Sequence, residues 1–150
     1  MLFRSLVNGR EPMDPSEEHA RKHGETFAKK DRFGSLLGCK FVAVSKTECI
    51  YEYEPREEHF NPNGILHGGA LFSAMDSSQG AFVHFILDPI YQYAATGTAT
   101  IRFQAPVLKG TIRIRTWLKQ IERRKLFIWS SAFDGQSKEV ATLEEIWIAI

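Results

Sequence analysis

Apolar and polar positions change rhythm along this chain. Residues 36–44 (LLGCKFVAV) read as a strand, and 47–54 alternate, with Thr47, Cys49, Tyr51 and Tyr53 on one side and Glu48, Ile50, Glu52 and Glu54 on the other. A period of two marks a half-buried strand, and the short Ser45-Lys46 turn makes the pair a hairpin. Over 68–87 the alternation stops and helical spacing takes over. Leu71, Phe72, Met75, Phe82, Val83 and Ile86 form a large apolar face, and Gly69, Ser73, Asp76, Ser77, Gly80 and His84 form a small or polar stripe. A helix apolar on most sides is buried rather than laid on a surface. Four further strands are predicted at 92–104, 110–121, 126–133 and 140–150. The third of these is apolar on both faces, as a central strand is. Glu144-Glu145 interrupts the last one and is expected to mark a bulge. Nearer the start, Asp14, Pro15 and Glu17 carry a helix-opening signature, predicting a helix to about residue 30. Only Ala20, Phe27 and Ala28 on it could face a core.

Two strands, one long helix and four strands make an α+β layout. An antiparallel sheet of about six strands could wrap the helix and bury its large face. The chain of 150 residues suits one such domain. We assign 1–32 to an N-terminal extension with a surface helix, and 33–150 to the domain. Charge narrows the partners: at a net +1 no global field argues for nucleic acid or a membrane surface. A membrane span at 68–87 is disfavoured by Asp76, Gln79 and His84 within it, since a carboxylate at a span's centre costs about 2.5–3.5 kcal/mol. The first residues fit neither a secretory signal nor a transit peptide, so a cytoplasmic protein is expected. Cys39 and Cys49 lie in strand-like segments and read as reduced core thiols. His19 and His23 stand four apart on the first helix but lack an accompanying ligand motif, so they read as exposed residues. No metal and no cofactor is expected.

The candidate chemistry sits on the long helix. A lone buried Asp76 demands a partner or a function. Gly68 and Gly69 in the first turn lower helix stability by about 1 kcal/mol each relative to Ala. They also let a ligand approach free N–H groups, where the helix dipole favours developing negative charge; close packing explains the glycines equally well. Gly69 and Asp76 are seven residues apart, on one face, with a separation of about 10 Å along the axis. A general base must reach its target within about 3 Å, so one copy of Asp76 cannot serve a carbonyl held at its own helix start. A second, antiparallel helix could bring its Asp76 there, and the small residues Gly69, Ser73 and Gly80 would permit the approach.

Asn61, then His67-Gly68-Gly69 six positions on, then Asp76 nine after His67, with Thr96 ten before Pro106, resembles the hotdog-fold acyl-CoA thioesterases of the PaaI-like, THEM-type branch. The resemblance covers roughly 33–150. It implies the hotdog fold, an acyl-CoA substrate, and sites between subunits of a homodimer or a dimer of dimers. On that basis the Gly68 and Gly69 N–H groups polarise the thioester carbonyl. Asp76 of the other subunit activates water or attacks, and Thr96 orients the water. Asn61 positions the thioester or supports its loop, and His67 holds the thioester end. Arg123, Arg124 and Lys125 on a hairpin are candidates for the CoA phosphates. Phe60, with Phe82, Phe85, Tyr91 and the loop 89–93, is a candidate lining for the acyl group. Two other classes stay open. One is a hotdog dehydratase of hydroxyacyl thioesters, suggested by His59-Phe60 but lacking that group's Pro-Gly helix opening. The other is a non-catalytic acyl-CoA sensor, against which Asp76 argues.

Overall fold

A computed structural model describes residues 15–87 and 90–150. The cap expected at Asp14 and the loop position Pro89 lie outside the described residues. The elements run α1 (Pro15–Lys30), α2 (Arg32–Leu37), β1 (Cys39–Val44), β2 (Glu48–Tyr53), α3 (Gly68–Ile86), β3 (Ala94–Phe103), β4 (Ile112–Glu122), β5 (Lys125–Phe133) and β6 (Glu139–Ala149). The strands form one six-stranded sheet in the order β1-β2-β4-β5-β6-β3, every neighbour antiparallel. The α+β layout expected from the pattern is the one observed, with β5 inside the sheet and α3 against its inner face.

The core follows from the alternation. Cys49, Tyr51 and Tyr53 of β2, Ile112 and Ile114 of β4, Ile128 of β5 and Leu143 of β6 meet Leu71, Ala74, Met75 and Phe82 of α3. Burying each large side chain contributes roughly 1.5–3 kcal/mol. Phe72 and Ile86, expected on the buried face, are only half-buried, whereas Ser78 and Gln79 are fully enclosed. Their polarity is met locally. Ser78 Oγ lies 2.9 Å from Thr116 Oγ1, which lies 2.8 Å from Ser130 Oγ. Gln79 accepts from Trp147 Nε1 at 3.0 Å. Both cysteines are free, and burial pushes each thiol up to about 12.

Four expectations need correction. The strand predicted from residue 36 begins at Cys39, because Leu36 and Leu37 end α2. Asp31 Oδ1 accepts the Gly34 N–H at 2.9 Å and opens that helix, and Gly38, at φ 91°, closes it. Capping overrides the apolar run. The bulge expected at Glu144-Glu145 lies instead on the neighbouring strand, where Thr96 pairs with Trp147 and Thr98 with Ile146, leaving Gly97 extra. From Ala141 onward β6 alternates without a break: Ala141, Leu143, Glu145, Trp147 and Ala149 all face inward. Finally, α1 is fastened over the C-terminal half of α3 through Phe27, which sits against Gly80. Gly80 is therefore unavailable to a second copy of the helix. His23, read as solvated, is half-buried with its ring 5.2 Å from Phe85.

Candidate active site

The approach to α3 is tied down by main-chain bonds. Leu66 N–H donates to Val107 O and His67 N–H to His59 O, both at 2.9 Å. Asn61 supplies the turn: its Oδ1 accepts from Asn63 N at 2.9 Å and Ile65 N at 3.1 Å. This is loop support, and it leaves the Asn61 amide hydrogens for other work. His59 is occupied too, its Nδ1 2.8 Å from Tyr53 Oη and 3.2 Å from Arg56 N. His67 is the residue preceding the helix, exposed, with no side-chain capping bond. Ala70 and Leu71 N–H both turn to His67 O, at 3.1 and 3.2 Å. No acceptor is found for the Gly68 and Gly69 N–H groups among the described residues, as the first turn of any helix requires.

The two glycines differ. A Cβ at Gly68 would meet the Phe103 ring at 2.8 Å, so close packing accounts for that glycine. A Cβ at Gly69 would meet nothing within 4 Å. Nothing in the chain's own packing calls for glycine there, and Gly69 is exposed. Gly68 also borders a groove of about 390 Å³ with Asn61, Leu66, Leu71, Phe103 and Pro106.

Asp76 stands two turns further on, half-buried. Thr96 Oγ1 donates to its Oδ1 at 3.0 Å. Behind it lies Glu145, a residue read above only as a break in a strand. Its inward position was legible, since it keeps step with Leu143 and Trp147. Trp147 Nε1 donates to Glu145 Oε2 at 3.0 Å. Burial raises the Asp76 carboxyl, with hydrogen bonds from Thr96 and Glu145 working against it. Burial, then the adjacent Asp76 charge, pushes Glu145 up to about 8. The chain thus brings Asp76 and Thr96 together, and Asn61, His67, Gly68 and Gly69 together. It leaves those two groups at opposite ends of β3, with Gly68 beside Phe103 and Asp76 beside Thr96.

The bulge at Gly97 makes a sharp control. Thr96 pairs with inward Trp147, while Thr98 pairs with outward Ile146, so the two threonines face opposite sides of the sheet. This corrects the simple alternation that would put them on one side. Thr96→Ala should lower turnover roughly five- to tenfold, the worth of one hydrogen bond, with KM little changed. Thr98→Ala should leave kcat within about twofold. Steady-state kinetics on both variants checks this, and equal effects would remove Thr96 from the site.

The other candidates are dispersed. Arg123, Arg124 and Lys125 form the exposed β4–β5 turn. Lys125 pairs with Ile148, one register step from the Leu126, Trp147 and Thr96 row, which puts the turn at the Asp76 end of the sheet. Phe60 is half-buried and bridges to Leu66 near the helix start. Phe82 is enclosed in the core, and Phe85 is covered by His19 and His23 of α1. Neither is open to an acyl group in this chain, because both lie on the half of α3 that the chain itself covers.

A long helix held by a six-stranded antiparallel sheet is the hotdog fold. Residues 63–141 match the thioesterase superfamily, and the chain belongs to that family. It is 31% identical over 90 residues to a Saccharolobus solfataricus protein described as a putative esterase, covering 60% of this chain. The match spans 63% of that relative's length. The fold is similar to the E. coli PaaI protein from the phenylacetic acid degradation operon, with TM-score 0.79, 18% identity, and coverage of 90% of this chain and 96% of that one. A Streptococcus mutans UA159 protein solved bound to acetyl-CoA matches with TM-score 0.68 at 19% identity, covering 75% of this chain and 88% of that one. No described helix is long and apolar enough to cross a membrane.

Proposed function

We propose that this protein hydrolyses the thioester of an acyl- or aryl-acyl-CoA to the free acid and CoA, in a site shared between two copies of the chain. The observation that carries the reading is the pairing of a Thr96-oriented, half-buried Asp76 carboxyl with an open helix start that nothing in the same chain occupies. The thioester carbonyl oxygen binds at the Gly68 and Gly69 N–H groups of one copy, which stabilise the charge it gains. Asp76 of the other copy takes a proton from water, whose oxygen adds to the carbonyl carbon. Collapse of the tetrahedral intermediate breaks the C–S bond, and the thiolate leaves and is protonated. Attack by Asp76 itself uses the same geometry and forms an anhydride that water opens. One turnover in ¹⁸O-water would leave label in Asp76 only by the second route.

Two features support the two-fold partner. Among the described residues no strand pairs with the outer edge of β3, and Thr96 to Thr100 are exposed along it. An open sheet edge invites pairing with another chain. The contacts of α1 on α3 fall at Gly80, His84 and Phe85, while Gly69 at the helix start is exposed. CoA phosphates would meet the Arg123–Lys125 turn, where guanidinium groups suit phosphate, and the acyl group would lie towards Phe60. A panel of aliphatic and aryl acyl-CoAs, followed with a thiol reagent, tests the reading. Thiol release from at least one class is expected. Binding without release across the panel would replace it with the sensor reading. With hydroxyacyl-CoAs added to the panel, a gain of double-bond absorbance without thiol release would replace it with the dehydratase reading.

A further inference from the structure

The reaction above uses one carboxyl, yet the fold buries a second against it. Glu145 is 1% exposed. Its Oε2 is held by Trp147 Nε1, and its Oε1 is buried with no donor among the described residues. At its register the neighbouring strands offer only Ile128 on β5 and Ala99 on β3. From α3 it faces Asp76, while Gln79 shares the Trp147 N–H. Thr96 of β3 reaches Asp76 rather than Glu145. Asp31, at the start of α2, adds another negative charge acting on Asp76. Among the described residues neither carboxyl is ion-paired with a Lys, Arg or His. Two carboxylates facing each other without a cation cannot both be ionised. Ionised, Glu145 Oε1 would be a buried acceptor lacking a donor, which is costly. Protonated, it becomes a donor with the Asp76 carboxylate as acceptor.

We propose that Glu145 is a positioning residue for the thioester hydrolysis: it stays protonated and donates a hydrogen bond to the Asp76 carboxylate. The role rests on the reading of Asp76 as base or nucleophile. Thr96 and Glu145 then hold the carboxylate from two sides, fixing which lone pairs face water. Trp147 keeps the Glu145 side chain turned for this task. The pair carries one negative charge and titrates as a unit. When its last proton leaves, the two charges repel and Asp76 loses one of its two fixed partners.

The direction of the stability effect follows. Unfolded, Glu145 has its ordinary value of 4.5; folded, it is pushed up to about 8. Its contribution is therefore fully present below the unfolded value and is lost as pH rises towards the folded one. Glu145→Gln keeps an N–H for Asp76 and an oxygen for Trp147 but cannot ionise. Its Tm should therefore gain on wild type as pH rises from about 5 to 8.

Two measurements decide the matter. The first needs no turnover. The indole N–H signal of Trp147, identified among three tryptophans by Trp147→Phe, is followed by NMR against pH. A step well above the ordinary carboxyl range is expected in wild type. The step should be absent in Glu145→Gln, and in Asp76→Asn it should fall by about one unit or more, since the facing charge is gone. A wild-type midpoint below about pH 5, or the same step in Glu145→Gln, would overturn the proposal. The second is the kcat–pH profile. Glu145→Ala should lower kcat about tenfold with KM within about threefold. Glu145→Gln should recover most of that loss and lack the wild-type fall on the alkaline side. An unchanged alkaline fall in Glu145→Gln would also overturn it. If no acyl-CoA is turned over, the proposed function fails, and the NMR titration still decides the shared proton.

Discussion

Asp76→Asn is expected to lower thioester turnover at least about a hundredfold while acyl-CoA binding changes by less than about threefold. A positioned general base contributes roughly 10²–10⁴-fold, and a nucleophile's loss costs no less. Asn matches Asp in shape, and its carbonyl oxygen can still accept from Thr96 Oγ1, 3.0 Å away in the native chain. The fold therefore has little reason to move. The carboxyl is also raised by burial, so removing its charge relieves desolvation and should leave stability unchanged or improved. Turnover by thiol release, binding by calorimetry and Tm by scanning calorimetry separate these effects. A variant retaining more than about a tenth of wild-type turnover would remove Asp76 from the chemistry.

The second large effect is a recovery. Gly69→Pro removes an N–H at the helix start, in a turn where proline is tolerated and where a Cβ meets nothing within 4 Å. Homodimers of Gly69→Pro, and homodimers of Asp76→Asn, should each be nearly inactive, because both sites of each carry the same lesion. In a mixed dimer the lesions redistribute. One site receives both, and the other receives an intact Gly69 from one copy and an intact Asp76 from its partner. Equal amounts paired at random make about half the dimers mixed, so about a quarter of wild-type activity should return. A doubly tagged, isolated mixed dimer should reach about half. If Gly69 and Asp76 acted within one copy, every mixed dimer would carry two broken sites. No recovery in a verified mixed dimer would sink the shared site.

The chain's own alternation was enough to define the six strands, the long helix and the α+β class. Cys49, Tyr51 and Tyr53 on one side of β2, and the change to helical spacing after Gly68, follow from side-chain geometry every residue shares. The motif from Asn61 to Asp76 was legible for a related reason. Its parts lie on one turn and one helix, so sequence offsets translate directly into angles and rises. Leu36 and Leu37 were misread because a local cap at Asp31 and a left-handed Gly38 outweighed an apolar run, a contest that hydropathy does not register.

Only the tertiary structure decided what crosses between elements. It placed Thr96 on Asp76 and turned Thr98 away, because the one extra residue at Gly97 reverses the alternation, and a bulge leaves little mark in composition. It covered Gly80 with Phe27 and left Gly69 open, a distinction that two glycines on one stripe cannot carry by themselves. It set Glu145 behind Asp76, although 69 positions of chain separate the two. Local patterning tells a residue which way to face. Which residue it then faces depends on strand order and register, and these are settled by the packing of the whole sheet around α3.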